Sequence, residues 1–138
     1  MYLLDTDVLS AFRRAHREAE AFQAWAKRQR SELFSVSVIT IWEIEQGALR
    51  LERRDPAQAA ILTDWIVNFV LAGYADRLLD VDLAVARTCA RLHVPDPRPY
   101  RDCFIAATAL AHGLTLVTRN TADFAPMGVP LLNPWDQG

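Results

Sequence analysis

Short apolar runs alternate with helical segments along this chain, and that alternation limits its fold more than any other feature. Tyr2-Leu3-Leu4 is apolar and stops at Asp5, the pattern of a buried strand. The segments Leu33 to Val36, Leu78 to Val81, Thr115 to Thr118 and Val129 to Leu132 repeat it. Helical patterns lie between them. Strands separated by helices pair in parallel, and a parallel sheet needs cover on both faces. The expected fold is α/β: one domain over residues 1–138, with a parallel central sheet flanked by helices on both faces. A length of 138 residues, 51% of them hydrophobic, suits one such core.

The helix boundaries can be read from capping residues. Asp7 stands where an N-cap would, ahead of Val8-Leu9-Ser10-Ala11-Phe12. Ala21, Phe22 and Trp25 share one face of a helix over 17–30. Ser37 and Thr40 can each cap a helix running to about Arg53, and Thr40-x-x-Glu43 also fits a capping box. Asp55-Pro56 opens a helix reaching Gly73, with proline at its first position. Asp82 caps the segment carrying Val85, Cys89 and Leu92. A proline-rich loop, Pro95 to Pro99, precedes an apolar helix from Phe104 to Leu110, closed by His112-Gly113.

Charge and cysteine content exclude several classes. A net charge of −2 argues against gripping nucleic acid by bulk positive charge. It leaves room for an enzyme that holds a short stretch of RNA through a metal and a few arginines. Nearly all the basic residues are arginines; Lys27 is the single lysine. Arginine makes planar bidentate contacts with phosphate or carboxylate, although genome base composition yields the same bias. Cys89 and Cys103 are isolated, without the spacing of a zinc site or a disulfide framework, and are expected to pack as small apolar groups. Asp5 and Asp7 interrupt any leader-like N-terminus. The apolar stretch from Ile61 to Tyr74 contains Asp64 and Asn68, and is too short to span a bilayer. A cytoplasmic location with no membrane contact is expected.

Acidic residues fall at telling places. Ligands of an open parallel sheet bind beyond the carboxyl ends of its strands. Asp5 follows the first strand, with no helix-start role expected of it. Thr118-Arg119-Asn120-Thr121-Ala122-Asp123 follows a later one. Glu43 and Asp102 lie near the starts of helices that point to the same edge. Each acid has a bland use: Asp7 and Asp123 as caps, Glu43 in its capping box, Asp102 beside a helix dipole. As a set they suggest more. Crowded carboxylates resist ionisation unless a cation relieves them. Oxygen ligands with open water positions suit Mg²⁺ or Mn²⁺. Such an ion can activate water and stabilise charge on a phosphodiester.

Five segments together resemble the PIN-domain family, and within it the VapC and FitB-like toxin ribonucleases. They are Leu3 to Ser10; Ser37 to Ile44 with Gly47; Asp102 to Ala109; Leu116 to Asn120 with Asp123-Phe124; and Leu132-Asn133-Pro134-Trp135. The resemblance implies Asp5 and Asp102 as principal Mg²⁺ ligands, with Glu43 completing the acidic cluster. Asn120 and Asp123 both fall where relatives place a fourth acid, and Asn120 cannot carry the charge. Asp7 stands where many relatives have asparagine. Thr6 and Thr118 are implied as hydroxyl partners of carboxylates or metal-bound water, and Arg119 as a phosphate contact. The resemblance further implies cleavage of single-stranded or loop RNA, a small antitoxin partner, and a homodimer or toxin–antitoxin hetero-oligomer. The apolar residues Phe22, Trp25, Ile61, Trp65 and Phe69 serve either the core or such a partner.

Three competing readings remain. Asp5-Thr6-Asp7 superficially resembles the Asp-x-Asp of haloacid-dehalogenase-type phosphatases. Those need a lysine near a later strand end, and Lys27 falls in a predicted helix instead. A non-catalytic RNA- or protein-binding PIN-like module would tend to lose acids that this chain keeps. A housekeeping PIN nuclease would share the chemistry without the toxin role.

Overall fold

Leu3 and Leu4 are adjacent in sequence and point into different cores, because successive strand residues face opposite sides of a sheet. Leu3 packs with Ile105, Ala106, Leu116 and Phe124. Leu4 packs with Val8, Phe22, Trp25, Val36 and Val117. Both leucines are fully buried, and each such side chain stabilises the fold by about 1.5–3 kcal/mol. Helices therefore cover both faces, as the apolar runs require.

The computed structural model describes residues 1–136. The strands are β1 (Tyr2–Leu4), β2 (Phe34–Ser37), β3 (Leu78–Leu79), β4 (Thr115–Val117) and β5 (Leu131–Leu132). All pair in parallel, in the order β3-β2-β1-β4-β5. The helices are α1 (Thr6–Arg13), α2 (Glu20–Arg28), α3 (Val38–Glu52), α4 (Pro56–Trp65), α5 (Leu83–Leu92), α6 (Tyr100–His112) and α7 (Thr121–Phe124). The chain leaves β1 for β2 on one side and returns to β4 on the other. Such a reversal of strand order opens a crevice beyond the strand ends, here between β1 and β4. Among the described residues, no helix is long and apolar enough to cross a membrane.

Several boundaries differ from expectation, for local reasons. α1 starts at Thr6 because Asp5, not Asp7, is its N-cap: the Asp5 carboxylate accepts the Thr6 backbone N–H at 2.8 Å. Ser37 caps α3 by accepting the Ile39 N–H at 3.0 Å. Thr40 lies buried inside that helix, so the capping box does not form and Glu43 is free for other partners. Asp55 and Asp82 cap α4 and α5 as expected, and Gly113 closes α6 at φ 65°. α6 starts at Tyr100, directly after the proline loop, which places Asp102 in its first turn. The helix expected to reach Gly73 changes at Trp65 into a π turn over Ile66–Leu71.

The apolar residues weighed for a partner separate into two groups. Phe22 and Trp25 belong to the core, with Phe22 stacked on Trp135 at 4.8 Å. Trp65 is partly buried against the same core, under the Arg13 guanidinium at 5.8 Å. Ile61 and Phe69 remain more than half exposed.

Candidate active site

The end of β1 delivers Asp5 into the crevice, where it is only 1% exposed. A buried carboxylate must be satisfied by donors, and this one is. Its Oδ1 takes the Thr6 N–H and its Oδ2 takes the Thr118 hydroxyl at 2.8 Å. Thr118 directly follows β4, so this bond spans the gap between the two strands. The Thr118 oxygen in turn accepts the Asn120 N–H at 3.0 Å.

Asp5, Glu43 and Asp102 come together as expected, but around a residue the sequence did not single out. The Arg101 guanidinium reaches all three. Its Nη2 donates to Asp5 Oδ1 at 2.5 Å and to Glu43 Oε1 at 2.9 Å. Its Nε donates to Glu43 Oε2 at 2.9 Å, completing a bidentate pair, and its Nη1 donates to Asp102 Oδ1 at 2.8 Å. The Thr6 hydroxyl donates to Glu43 and receives Arg101 Nη2 at 3.1 Å. Burial pushes the Glu43 carboxyl up, yet the bonds from Arg101 and Thr6 outweigh it and leave the group below its ordinary value. Burial also opposes the charge on Arg101, but Glu43, Asp5 and Asp102 hold its pKa above the usual arginine value. One clue to Arg101 was available. A cation in the first turn of a helix meets the positive end of the helix dipole, so an arginine there implies anions nearby.

Asp7 is not a cap but lies in the first turn of α1. Its Oδ2 accepts the Arg119 backbone N–H at 2.9 Å, while its Oδ1 is buried without a hydrogen-bond partner among the described residues. Burial first, and the neighbouring Asp5 charge second, push its carboxyl up to about 6. Asp7 therefore feels the Asp5 charge, though its hydrogen bond goes to Arg119 and not to the three acids. Asp123 and Asn120 are exposed at the start of α7, and no hydrogen bond or ion pair links either side chain to the three acids. The Arg119 guanidinium lies over Trp135 at 4.8 Å. It borders a cavity of about 340 Å³ together with Asp7, Arg13, Arg14 and Glu18.

The donor set fits a hard divalent cation. Three carboxylates surround one guanidinium, Asp5 and Glu43 at Nη2 and Asp102 at Nη1, although with Arg101 between them their oxygens do not all lie within 4.8 Å of one another. All are oxygen ligands, the chemistry of Mg²⁺ or Mn²⁺ and not of a soft metal.

Cys89 and Cys103 pack in the core between α5 and α6, as expected. The fold also brings His93 close, with ligand atoms of all three within 4.8 Å of one another, a grouping the sequence spacing did not suggest. His93 Nδ1 accepts the Arg98 N–H at 3.1 Å. That bond commits the Nδ1 lone pair and leaves the proton of the neutral ring on Nε2. Burial raises the Cys103 thiol to about 12, so it stays protonated. His93 Nε2 is buried with no hydrogen-bond partner among the described residues.

Comparison with known proteins agrees with the geometry. The family described as PIN domain matches residues 2–128. The chain is 33% identical to "VapC ribonuclease Y4jK" of Sinorhizobium fredii, with 99% of each chain covered. It is 34% identical to "Toxin FitB" of Neisseria gonorrhoeae, covering 98% of this chain and 99% of that one. Among solved structures, FitAcB from Neisseria gonorrhoeae superposes with a TM-score of 0.88 at 31% identity, covering 99% of each chain. With its acids gathered at the β1–β4 crevice and its full length matched, the chain belongs to the PIN-domain family.

Proposed function

We propose that this chain is a Mg²⁺- or Mn²⁺-dependent endoribonuclease, and that it acts as the toxin of a type II toxin–antitoxin pair. The observation that carries the reading is that Asp5, Glu43 and Asp102, from three distant segments, all bond one cation, the Arg101 guanidinium, at 2.5–2.9 Å. The relatives named as a ribonuclease and as a toxin supply the substrate class and the biological role.

In this reading Asp5 and Asp102 hold the metal, and Glu43 completes the set. A bound divalent ion supplies positive charge at the phosphate and lowers the pKa of water at that point. The protein's own residues do the positioning. Thr118 fixes the Asp5 carboxylate, and Thr6 fixes Glu43. Asp7 adds negative charge beside Asp5, in the role for which the sequence offered Asp123 or Asn120. The cavity bordered by Arg13, Arg14 and Arg119 gives RNA phosphates a cationic path to the acids. Arginine is suited to that contact by its planar fork. Neutral RNA bases need no counter-charge, so this local patch serves where bulk positive charge is missing.

An acidic cluster that accepts one guanidinium can accept another. An antitoxin tail bearing arginine fits this chemistry through charge-assisted pairs. The exposed Ile61 and Phe69 offer apolar area for an antitoxin or a second copy of the chain. Growth on expression tests the role. Wild-type chain expressed alone is expected to arrest growth, Asp102→Asn is expected not to, and a cognate small partner protein restores growth. A wild type that cleaves RNA in vitro yet stays harmless across several hosts contradicts the toxin role and favours a housekeeping nuclease.

A further inference from the structure

Arg101 is this chain's own cation, seated where a metal would sit. Its guanidinium takes up Asp5, both oxygens of Glu43, and Asp102. Those are the three acids assigned to the metal on the reading proposed above, on which this inference rests. A divalent ion bound to the oxygens that Arg101 now holds would stand directly beside its guanidinium. Oxygen-to-metal bonds of about 2.0–2.1 Å for Mg²⁺ draw carboxylates closer than N–H donors do, and the two cations repel.

The side chain has somewhere else to go. Arg101 already borders a cavity of about 360 Å³ lined by Ile39, Trp42, Tyr100 and Phe104. Trp42 is 55% and Tyr100 75% exposed, so both rings are open to a planar cation. Guanidinium stacks on aromatic faces with a gain of about 0.5–1 kcal/mol at exposed sites. The existing seat is only partly closed, since the Arg101 side chain keeps a quarter of its surface exposed. One seat is acidic and polar, the other aromatic and apolar, and they share the Arg101 stem.

We infer that Arg101 is a built-in competitor of the catalytic metal: it holds Asp5, Glu43 and Asp102 in the metal-free protein and moves to the Trp42–Tyr100 cavity when the ion binds. Two consequences follow. The apo-protein keeps its acids paired and stable, and metal affinity is set below what three bare carboxylates would give.

Mn²⁺ binding to the full chain, followed by the loss of the free-ion electron paramagnetic resonance signal, tests the competition. Arg101→Gln is expected to bind Mn²⁺ tighter than wild type, on the order of tenfold or more, because a close charge pair is removed from one side of the balance. Affinity equal to or weaker than wild type overturns the inference. Asp102→Asn is the control for the underlying reading. If wild type binds Mn²⁺ and Asp102→Asn does not, the metal site stands whatever Arg101→Gln does. If wild type binds none, the metal site and the inference fall together.

A second measurement reads the wild-type protein, with a variant used only to assign the signal. The ¹⁵N-labelled arginine Nε–H of Arg101, identified with Arg101→Lys, is expected to be protected from exchange without metal. It should lose that protection and shift as Mg²⁺ is added. An Nε–H that stays protected and unshifted while other residues of the site report Mg²⁺ saturation overturns the two-seat account.

Discussion

The Thr118 hydroxyl donates to Asp5 Oδ2 at 2.8 Å across the ends of β4 and β1. Thr118 comes 113 residues after Asp5, and both are buried. The bond thus ties the two central strands together where the strand order reverses, and it fixes the orientation of the most buried acid. Thr118→Val keeps the shape and removes the donor. It should cost about 1–3 kcal/mol, the range for leaving a buried acceptor short of a partner. Thermal denaturation of the metal-free protein checks this, and Thr118→Ser should recover most of the loss. A Thr118→Val protein as stable as wild type contradicts a positioning role for the hydroxyl.

Asp7 gives the metal-free protein a pH signature. Its carboxyl is raised to about 6 in the fold, against an ordinary value near 4. The folded state therefore holds this proton more tightly than the unfolded chain. Between about pH 4 and 6 the native state binds more protons, so this group's contribution to stability falls as pH rises through that window. Asp7→Asn should raise the melting temperature in EDTA at pH 7.5, and the difference should vanish near pH 4. An Asp7→Asn variant less stable than wild type at pH 7.5 would show the charged form to be structurally required.

The three acids around Arg101 should not respond alike to neutralisation. Asp5 caps α1, receives Thr118 and pairs with Arg101. Asp102 has one partner in the cluster, Arg101 Nη1. Without metal, Asp102→Asn should shift stability by less than about 1 kcal/mol, as expected of a partly exposed ion pair. Asp5→Ala loses a cap and strands buried donors, and should cost roughly 2 kcal/mol or more. Urea denaturation in EDTA compares the two. Equal losses would contradict this ordering of roles.

The thiols provide a check remote from the acids. Cys89 and Cys103 are buried, and burial holds the Cys103 thiol near 12. Reaction needs an accessible thiolate, so neither buried cysteine should react with iodoacetamide at pH 8 in the folded protein. Both should react in urea. Rapid alkylation of Cys103 under native conditions would refute the packing described between α5 and α6.

Much of the fold was legible because it depends on local pattern. Leu3-Leu4 and Leu116-Val117 read as buried strands, and the capping roles of Asp55, Asp82 and Gly113 follow from local chemistry. The convergence of Asp5, Glu43 and Asp102 was legible too, since parallel topology sends the ends of β1, the start of α3 and the start of α6 to one edge. What escaped the sequence depends on contacts between distant segments. Asp5 became the helix cap because β1 ends one residue before α1, with no spare turn for Asp7. Arg101 was hidden because two of its three acidic partners lie 58 and 96 residues away. Among many arginines, only its place in a helix's first turn set it apart. Asp7 looked like a cap until the fold buried one oxygen against nothing and set the other on the Arg119 N–H.

Asp5, Glu43 and Asp102 are expected to act together through a divalent ion on a phosphodiester. The direct measurement is the cleavage rate of an end-labelled single-stranded RNA by purified protein, with Mn²⁺ or Mg²⁺ and then with excess EDTA. Wild type should cleave with metal and stop in EDTA. Asp5→Asn, Glu43→Gln and Asp102→Asn should each fall by roughly two orders of magnitude or more, the loss typical of a group that stabilises charge in the transition state. Full cleavage in EDTA, or near-wild-type rates for all three variants, would contradict it.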